Sequence, residues 1–168
     1  MPKLIENLKN KLMDEARLQV RTNGYSATTI RSVASACGVG VGTVYNYFSS
    51  KDELLAAYML EDWTHCMAEI CAVSSASDTP EAVERCIYDQ LTLYVAQHKS
   101  VIRDKAATVR FAGAFIQYHH ILRDQLAAPL SKFFSDAFTA PFIAQALLTW
   151  TMDGTDFDEI QRILAKLH

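Results

Sequence analysis

A short stretch in the first third of the chain carries closely spaced side chains that suit contact with nucleic acid. Thr43, Tyr45 and Tyr47 have hydroxyls that can donate to phosphate oxygens, and the Lys51 ammonium adds a positive charge that attracts phosphate. The Asn46 amide can pair with the N6 and N7 edge of adenine. These residue types indicate a surface that could both hold and read a nucleic acid.

A short helix after a tight turn must position these side chains. The spacing predicts a helix from Val41 to Phe48, in which Val44 and Phe48 face a core because they lie four residues apart. The preceding Cys37-Gly38-Val39-Gly40 breaks the helical pattern, and a glycine there permits the positive φ of a sharp turn. At the start of this helix, Val41 could touch a thymine methyl, and Gly42 has no side chain, so the backbone there can approach DNA.

A second short helix before the turn completes a helix-turn-helix. Thr28 or Thr29 can cap this helix, and Ile30, Val33 and Ala34 form its buried stripe. Two short helices joined in this way are typical of the DNA-binding motif that places its second helix in the major groove. The alternative is an ordinary turn between two core helices, in which the aromatic side chains only fill the interior.

The chain resembles the tetracycline-repressor (TetR) family of bacterial transcriptional regulators over about its first third. The resemblance rests on the run G-V-x-x-G-T-V-Y-x-Y-F-x-S-K-D-x-L from Gly38 to Leu54, preceded by Gly24-Tyr25 and Thr28-Thr29-Ile30. It implies an all-α fold of about nine helices: a three-helix DNA-binding head with the helix-turn-helix, and a C-terminal helical bundle. The expected boundary separates a DNA-binding domain, 1–49, from a ligand-binding and dimerisation domain, 50–168.

The resemblance also implies roles for individual residues. Phosphate-holding positions of the family match Thr28, Tyr45, Tyr47 and Lys51, and base-reaching positions match Val41, Thr43 and Asn46. Gly40 and Val41 depart from the family, which often has Ser and a basic or polar residue there. These departures leave open an alternative, a helical interaction protein of the same fold that has lost DNA binding.

Charge is distributed as a DNA-binding end would require. Residues 1–51 hold seven Lys or Arg and three Asp or Glu, a net +4, whereas residues 52–168 hold nine and sixteen, a net −7. A basic head on an acidic body fits a protein in which only the head touches DNA.

Other functional classes lack support in the sequence. There is no G-x-S-x-G, phosphate-loop, H-E-x-x-H or EF-hand pattern, so we expect neither an enzyme nor a cofactor or metal. The four cysteines show no C-x-x-C spacing and are expected to be buried small hydrophobes; a thiol switch or an adventitious metal site is the alternative. No apolar run is long enough to span a membrane, and a signal peptide is missing, so we expect a cytoplasmic protein.

Helical periodicity continues through the rest of the chain. Helices are expected over residues 4–22, 50–72, 80–98, 100–112, 114–138 and 139–153, with a last helix capped by Asp156. Gly113 could break a helix or lie within one, and Pro129 suggests a kink or restart near Ala128.

The last two helices have more apolar surface than a small monomer would need, which favours a homodimer built by pairing them; the alternative is that they cap the chain's own core. The resemblance implies a repressor that binds a palindromic double-stranded DNA operator as a homodimer and is released by a small-molecule effector. The dimer candidates are Phe142, Ala146, Trp150, Ile160, Ile163, Leu164 and Leu167. Candidates for the effector pocket are Trp63, Met67, Tyr94, His98, Phe111, Phe115, Tyr118 and His119. The alternative is that most of them are ordinary core, and Tyr118 and His119 could equally belong to a solvated or interfacial patch.

Overall fold

The computed structural model describes residues 7–167, except for the side chains of residues 108 and 110–118. The described residues form nine α-helices and one 3₁₀ helix, which confirms the expected all-α fold. Their bounds are α1 Leu8–Asn23, α2 Ile30–Ala36, α3 Val41–Tyr45, α4 Lys51–Ala76, α5 Pro80–Gln97, α6 Lys99–Ile102, α7 Lys105–Ala127, the 3₁₀ helix Ala128–Phe133, α8 Thr139–Asp153 and α9 Phe157–Leu164.

The chain divides into two compact units. The first comprises Met1–Asp62 with Gln97–Arg110, and the second comprises Trp63–Ala96 with Phe111–His168. The helices α4 and α7 therefore each contribute residues to both units. No helix among the described residues is long and apolar enough to cross a membrane.

In the first unit, the core includes the apolar stripes of α1 and α2 together with Val44, Phe48 and the start of α4. Leu12 and Ala16 of α1 and Val33 of α2 are completely buried. Thr29 caps α2, since its Oγ1 accepts a hydrogen bond from the Ser32 N–H (3.0 Å) and the Thr29 N–H donates to the Ser32 hydroxyl (3.1 Å). This reciprocal pair satisfies two backbone donors that the first turn would otherwise leave without partners.

Of the two glycines in the predicted turn between α2 and α3, Gly38 has the positive φ, and Gly40 has a φ of −70°. Gly38 has a φ of 68°, and the next N–H, that of Val39, donates to the Ala34 carbonyl (3.0 Å). The following α3 ends at Tyr45, three residues before the expected end at Phe48, although Phe48 N–H still donates to the Val44 carbonyl (3.0 Å). The helix ends early because Asn46 has low helix propensity and because Ser50, two residues after Phe48, already caps the next helix.

That cap fixes the start of α4. The Ser50 hydroxyl accepts from the Glu53 N–H (3.1 Å), and the Glu53 carboxylate accepts from the Ser49 N–H (2.6 Å). The hydrogen bonds from Ser49 lower the pKa of Glu53, so that its charge, which also complements the positive end of the helix dipole, is retained at neutral pH.

The second unit surrounds one apolar cluster. Asp156 caps α9 as expected, because its carboxylate accepts from the Asp158 N–H (2.9 Å), and Gly154 turns the chain before it with a φ of 81°. The largest fully buried side chains of this unit are Ile70, Ile87, Leu126, Leu130, Ile143, Leu147, Ile160 and Leu164.

Helix boundaries between residues 99 and 138 differ from the expected ones. The helix expected over 100–112 is divided into α6 and α7, because the Asp104 carboxylate accepts from the N–H groups of Ala106 (2.9 Å) and Ala107 (3.1 Å) and so starts a new helix. Gly113 lies within α7, and Pro129 lies in the 3₁₀ helix, where the chain restarts as predicted. Leu4, expected in the first helix, lies outside the described residues.

Replacing Gly38 by Ala should destabilise the protein by about 1 kcal/mol, because an L side chain is strained at positive φ. Gly42→Ala is the matched control: a Cβ meets nothing within 4 Å at either position, and Gly42 lies in a helix. There the Ala should stabilise by up to about 1 kcal/mol. Urea unfolding of both variants tests this, and equal effects would contradict the strained turn.

Candidate nucleic-acid interface

The side chains after the Gly38 turn divide between core and surface as their spacing predicts. Val44 and Phe48 are buried, whereas Tyr45 is 53% exposed and Asn46 is also exposed. Neither Tyr45 nor Asn46 serves the interior. Each of the other candidate residues of this segment is also accessible to solvent: Gly42 is exposed, and Val41, Thr43 and Tyr47 are half-buried.

Thr28 is placed differently from the other candidates. Its side chain is 1% exposed, and its hydroxyl donates to the Gly24 carbonyl (2.9 Å). Gly24 has a φ of 86° and follows the end of α1, so Thr28 helps to close the loop between α1 and α2. The predicted phosphate contact through this hydroxyl is therefore corrected: the group is turned inward.

Lys51 is held by the loop that follows α1. Its Nζ donates to the Tyr25 carbonyl (2.9 Å) and lies 3.8 Å from the centroid of the Tyr25 ring. The Tyr25 hydroxyl in turn donates to the Asp52 carboxylate (2.6 Å). A cavity of about 350 Å³ lies beside this group and is lined by Tyr25, Ser26, Ser50, Lys51, Asp52 and Ala106.

Arg31 is a surface cation that the sequence reasoning did not single out. It lies at the second position of α2, is exposed, and has no acidic partner among the described residues. An exposed guanidinium in the helix-turn-helix can contact phosphate or guanine. The sequence could have indicated Arg31, because it lies just after the predicted cap of α2, within the helix-turn-helix.

Beneath this surface, α1 and α4 are joined by ion pairs. The Arg17 guanidinium contacts carboxylate oxygens of Glu61 and Asp62, both at 2.9 Å, and of Asp14 at 2.6 Å. The His98 ring is 2% exposed, stacks on Tyr58, and has its Nε2 3.1 Å from the Asp62 carboxylate. Bonds from Arg17 and His98 thus fix α4 within the first unit.

His98 therefore does not belong with the other effector candidates, because it lies in the first unit and faces Asp62. Burial lowers the pKa of His98, and the nearby Arg17 charge acts in the same direction, against the opposing effect of Asp62. The neutral imidazole is the form that the fold favours.

Most other effector candidates belong to the second unit. Trp63 is buried and donates to Gln125 (2.6 Å), and its ring meets that of Tyr94 edge to face with centroids 5.6 Å apart. His119 is half-buried and pairs through its ring nitrogen with Gln145. Met67 lines a groove of about 490 Å³ together with Cys71, Ser74, Ser75, Gln125, Ala128 and Pro129. The side chains of Phe111, Phe115 and Tyr118 lie outside the described residues.

The dimer candidates on and after the last two helices differ in how far their side chains are exposed. Phe142, Ile163 and Leu167 are exposed, and Ala146 and Trp150 are half-buried. Ile160 and Leu164 are buried in the core of their own unit, which corrects the prediction that they face a partner. The sequence reasoning missed Phe138, which is exposed with its ring centroid 5.8 Å from that of Phe142.

The four cysteines are free and have different environments. Cys66 is buried, Cys37 and Cys86 are half-buried, and Cys71 is exposed, so the expectation of uniform burial is wrong for Cys71. Burial raises the pKa of the Cys37 and Cys86 thiols, and nearby acidic groups act in the same direction. Among the described residues, no group of three or more His, Cys, Asp or Glu could hold a metal ion.

Comparison with known proteins identifies the helix-turn-helix. Residues 12–58 match the family described as "Bacterial regulatory proteins, tetR family". This segment of the chain therefore resembles the DNA-binding part of TetR-family regulators. The match includes α1 from Leu12 onward, α2, α3 and the start of α4, so the interface described above lies within the matched segment.

Relatives of known sequence are transcriptional regulators. The HTH-type transcriptional regulator YuxN of Bacillus subtilis is 27% identical over 95 residues, 56% of this chain and 33% of YuxN. The HTH-type transcriptional repressor KstR of Mycolicibacterium smegmatis is 27% identical over 109 residues, 64% of this chain and 50% of KstR. The chain spans about a third of the length of the first of these and of UidR from Escherichia coli. None of these relatives is named an enzyme.

Solved structures share the TetR-type fold over nearly the whole chain. The transcriptional regulator SCO7518 of Streptomyces coelicolor superposes with a TM-score of 0.73 at 14% identity and covers 96% of this chain and 98% of its own. FadR of Bacillus subtilis, solved in complex with stearoyl-CoA, gives 0.55 at 18% identity and covers 94% and 96%. At these identities the likeness shows the fold.

Because burial lowers the pKa of His98 below its ordinary 6.5, the unfolded chain takes up a proton first as the pH falls. The free energy of unfolding should therefore be highest above pH 6.5 and decrease as the pH falls towards the folded-state pKa, with a contribution of at most about 1.4 kcal/mol per pH unit. Urea unfolding between pH 8 and 5.5 measures this pH dependence of the free energy of unfolding. His98→Gln, which keeps an N–H for Asp62 without titrating, should show a shallower dependence; an identical pH dependence would refute this role of His98.

Proposed function

We propose that this protein is a sequence-specific DNA-binding transcriptional repressor that binds a palindromic operator as a homodimer and is released by a small-molecule effector. One observation carries the proposal: Val44 and Phe48 are buried while Tyr45 and Asn46, the adjacent phosphate-type and base-type side chains, are exposed. The fold itself does not require an exposed tyrosine and asparagine there. Their exposure supports DNA binding over the alternative, an interaction protein that has lost it.

Contacts to DNA would divide by residue type. Tyr45, Tyr47 and Lys51 would hold phosphates, which sets the register of the helix but reads no sequence. Asn46 would read adenine, and Thr43 and Val41 would reach neighbouring base edges, including a thymine methyl. The exposed Arg31 adds one further cation. Thr28 would act indirectly, by holding the loop that positions Tyr25 and, through it, Lys51.

Homodimer formation is supported by exposed apolar side chains on and next to the last two helices. Phe138, Phe142, Ile163 and Leu167 are each at least 40% exposed. Phe138 and Phe142 lie side by side, with ring centroids 5.8 Å apart, and contiguous apolar surface of this kind favours a partner. A two-fold dimer presents the same patch twice and would place two recognition helices on two half-sites, which is why the operator should be palindromic.

The effector would bind in the C-terminal part of the chain, residues 50–168, and DNA in residues 1–49 together with Lys51 at the start of α4. Thermodynamic linkage requires that an effector which weakens DNA binding by some factor is itself bound more weakly, by the same factor, when DNA is present. Ligand binding is typical of the family, and FadR of Bacillus subtilis was solved with stearoyl-CoA. The helix α4 is the direct covalent connection, because it begins at Lys51 and continues to Ala76.

Replacing Asn46 by Ala should reduce discrimination at one base pair by about 1–3 kcal/mol, because the bidentate contact is lost. Tyr45→Phe, which removes only a hydroxyl, should weaken binding to all sequences alike. Selection of duplexes from a random pool with each variant measures both effects. If both variants weakened binding to every sequence equally, the assignment of Asn46 to base reading would be wrong.

A charge placed on the apolar patch should separate the dimer. Ile163→Glu should convert the protein to a monomer, because the carboxylate would be buried in the interface. Leu93→Glu is the matched control, since Leu93 is 49% exposed and Ile163 is 48% exposed, but Leu93 lies on α5. Sedimentation equilibrium distinguishes the two, and dimers that persist in Ile163→Glu would place the interface elsewhere.

A further inference from the structure

The corner between α5 and α7 is part of the first unit. Residues 97–110 cluster with the helix-turn-helix, and Val101 and Ala107 of this corner are buried. Two polar side chains attach it, one at each end. His98 faces Asp62 of α4, and Asp104 faces Ser26 of the loop that follows α1.

Asp104 is a fixed negative charge in this corner. One of its oxygens accepts from the N–H groups of Ala106 (2.9 Å) and Ala107 (3.1 Å), and the other accepts from the Ser26 hydroxyl (3.0 Å). These backbone hydrogen bonds, the Ser26 hydroxyl and the Lys51 charge all lower the pKa of Asp104, so the carboxylate is ionised at neutral pH.

The same neighbourhood contains the lysine that would hold a DNA phosphate. Ser26 and Lys51 line one cavity, together with Ala106 of the first turn of α7. The Lys51 ammonium donates to the carbonyl of Tyr25, the residue next to Ser26. A phosphate that approached Lys51 would therefore compete with the Tyr25 carbonyl for the ammonium and would be repelled by the Asp104 carboxylate.

We propose that Asp104 is an internal counter-charge for Lys51 that limits how strongly the helix-turn-helix unit holds the DNA backbone. This inference rests on the proposed function, since it concerns a phosphate contact of the same interface. Asp104 is a positioning residue: it touches no DNA and acts through Lys51. It also caps α7, a helix that continues to Ala127 in the second unit, so a shift of the first turn of α7 would change the restraint.

Asp104→Asn is the variant that tests this restraint. The Asn side chain keeps one oxygen that can cap α7, and its amide nitrogen can donate to the Ser26 hydroxyl, which then accepts instead of donating. The substitution removes the negative charge and keeps the size of the side chain. We expect binding about two- to fivefold tighter than wild type, the range of an exposed ion pair, on both a selected operator and a random-sequence duplex. The gain should shrink as salt is raised, because salt screens the charge.

A double-mutant cycle with Lys51→Met separates the restraint from a general gain in positive charge. If Asp104 acts through Lys51, the gain from Asp104→Asn disappears when Lys51 is already Met. Glu15→Gln is the control for charge alone, since Glu15 lies on α1 of the same unit and the Gln oxygen can still accept from Gln19. Urea unfolding of each variant checks that the fold is retained.

The outcomes are distinct. If the wild type binds DNA but Asp104→Asn binds no more tightly, or gains equally in the Lys51→Met background, the restraint is overturned and the proposed function stands. If neither protein binds a selected or a random duplex even at low salt, the proposed function itself is overturned, and the restraint with it. A gain that depends on Lys51 and exceeds that of Glu15→Gln supports the proposal.

Discussion

Val44 and Phe48 are buried four residues apart, and the placement of every candidate DNA-contacting side chain after the turn depends on this pair. With both anchors in the core of the first unit, the helical geometry leaves Tyr45 and Asn46 no direction except towards solvent. Phe48 N–H still donates to the Val44 carbonyl, so the geometry extends beyond the last residue of α3. A polar residue at either anchor would remove the constraint on the whole surface.

Charged side chains of the first unit stabilise the helices that carry this surface. Arg17 joins α1 to the two carboxylates of α4, and His98 stays neutral against one of them, so the charges beneath the helix-turn-helix are largely satisfied internally. Lys51 differs in that its ammonium is held by a backbone carbonyl and an aromatic ring. The Lys51 charge also lowers the pKa of the Asp104 carboxylate, so these two charges interact and a phosphate would have to compete with that interaction.

Local patterns allowed much of this to be predicted. The Gly38 turn, the Thr29 cap, the Asp156 cap and the buried Val44 and Phe48 all follow from interactions within a few residues, which sequence spacing describes well. The helix boundaries within residues 100–138 were harder to predict. The break between α6 and α7 depends on whether the Asp104 side chain caps a new helix, and helical periodicity does not reveal this. The early end of α3 at Tyr45 has a similar origin.

The sequence could not predict the environment of side chains whose partners are distant in the sequence. Ile160 and Leu164 share a helix with the exposed Ile163, and only the packing of α9 on its own unit shows which of these three faces a partner. Thr28 has a side chain suited to phosphate, yet the Gly24 carbonyl takes its hydroxyl. His98 looked like a pocket residue because its distant partner, Asp62, is invisible to sequence periodicity.

The central claim, that this surface binds DNA, is tested most directly by measuring the affinity of the purified protein for duplexes selected from a random pool, across a salt series, beside a Tyr45→Ala/Lys51→Ala double variant. We predict tight binding by the wild type that falls steeply with salt, because phosphate contacts release counterions. The double variant should bind far more weakly, with a shallower salt dependence. Binding no tighter to the selected duplexes than to random DNA, or equal binding by the double variant, would contradict the account.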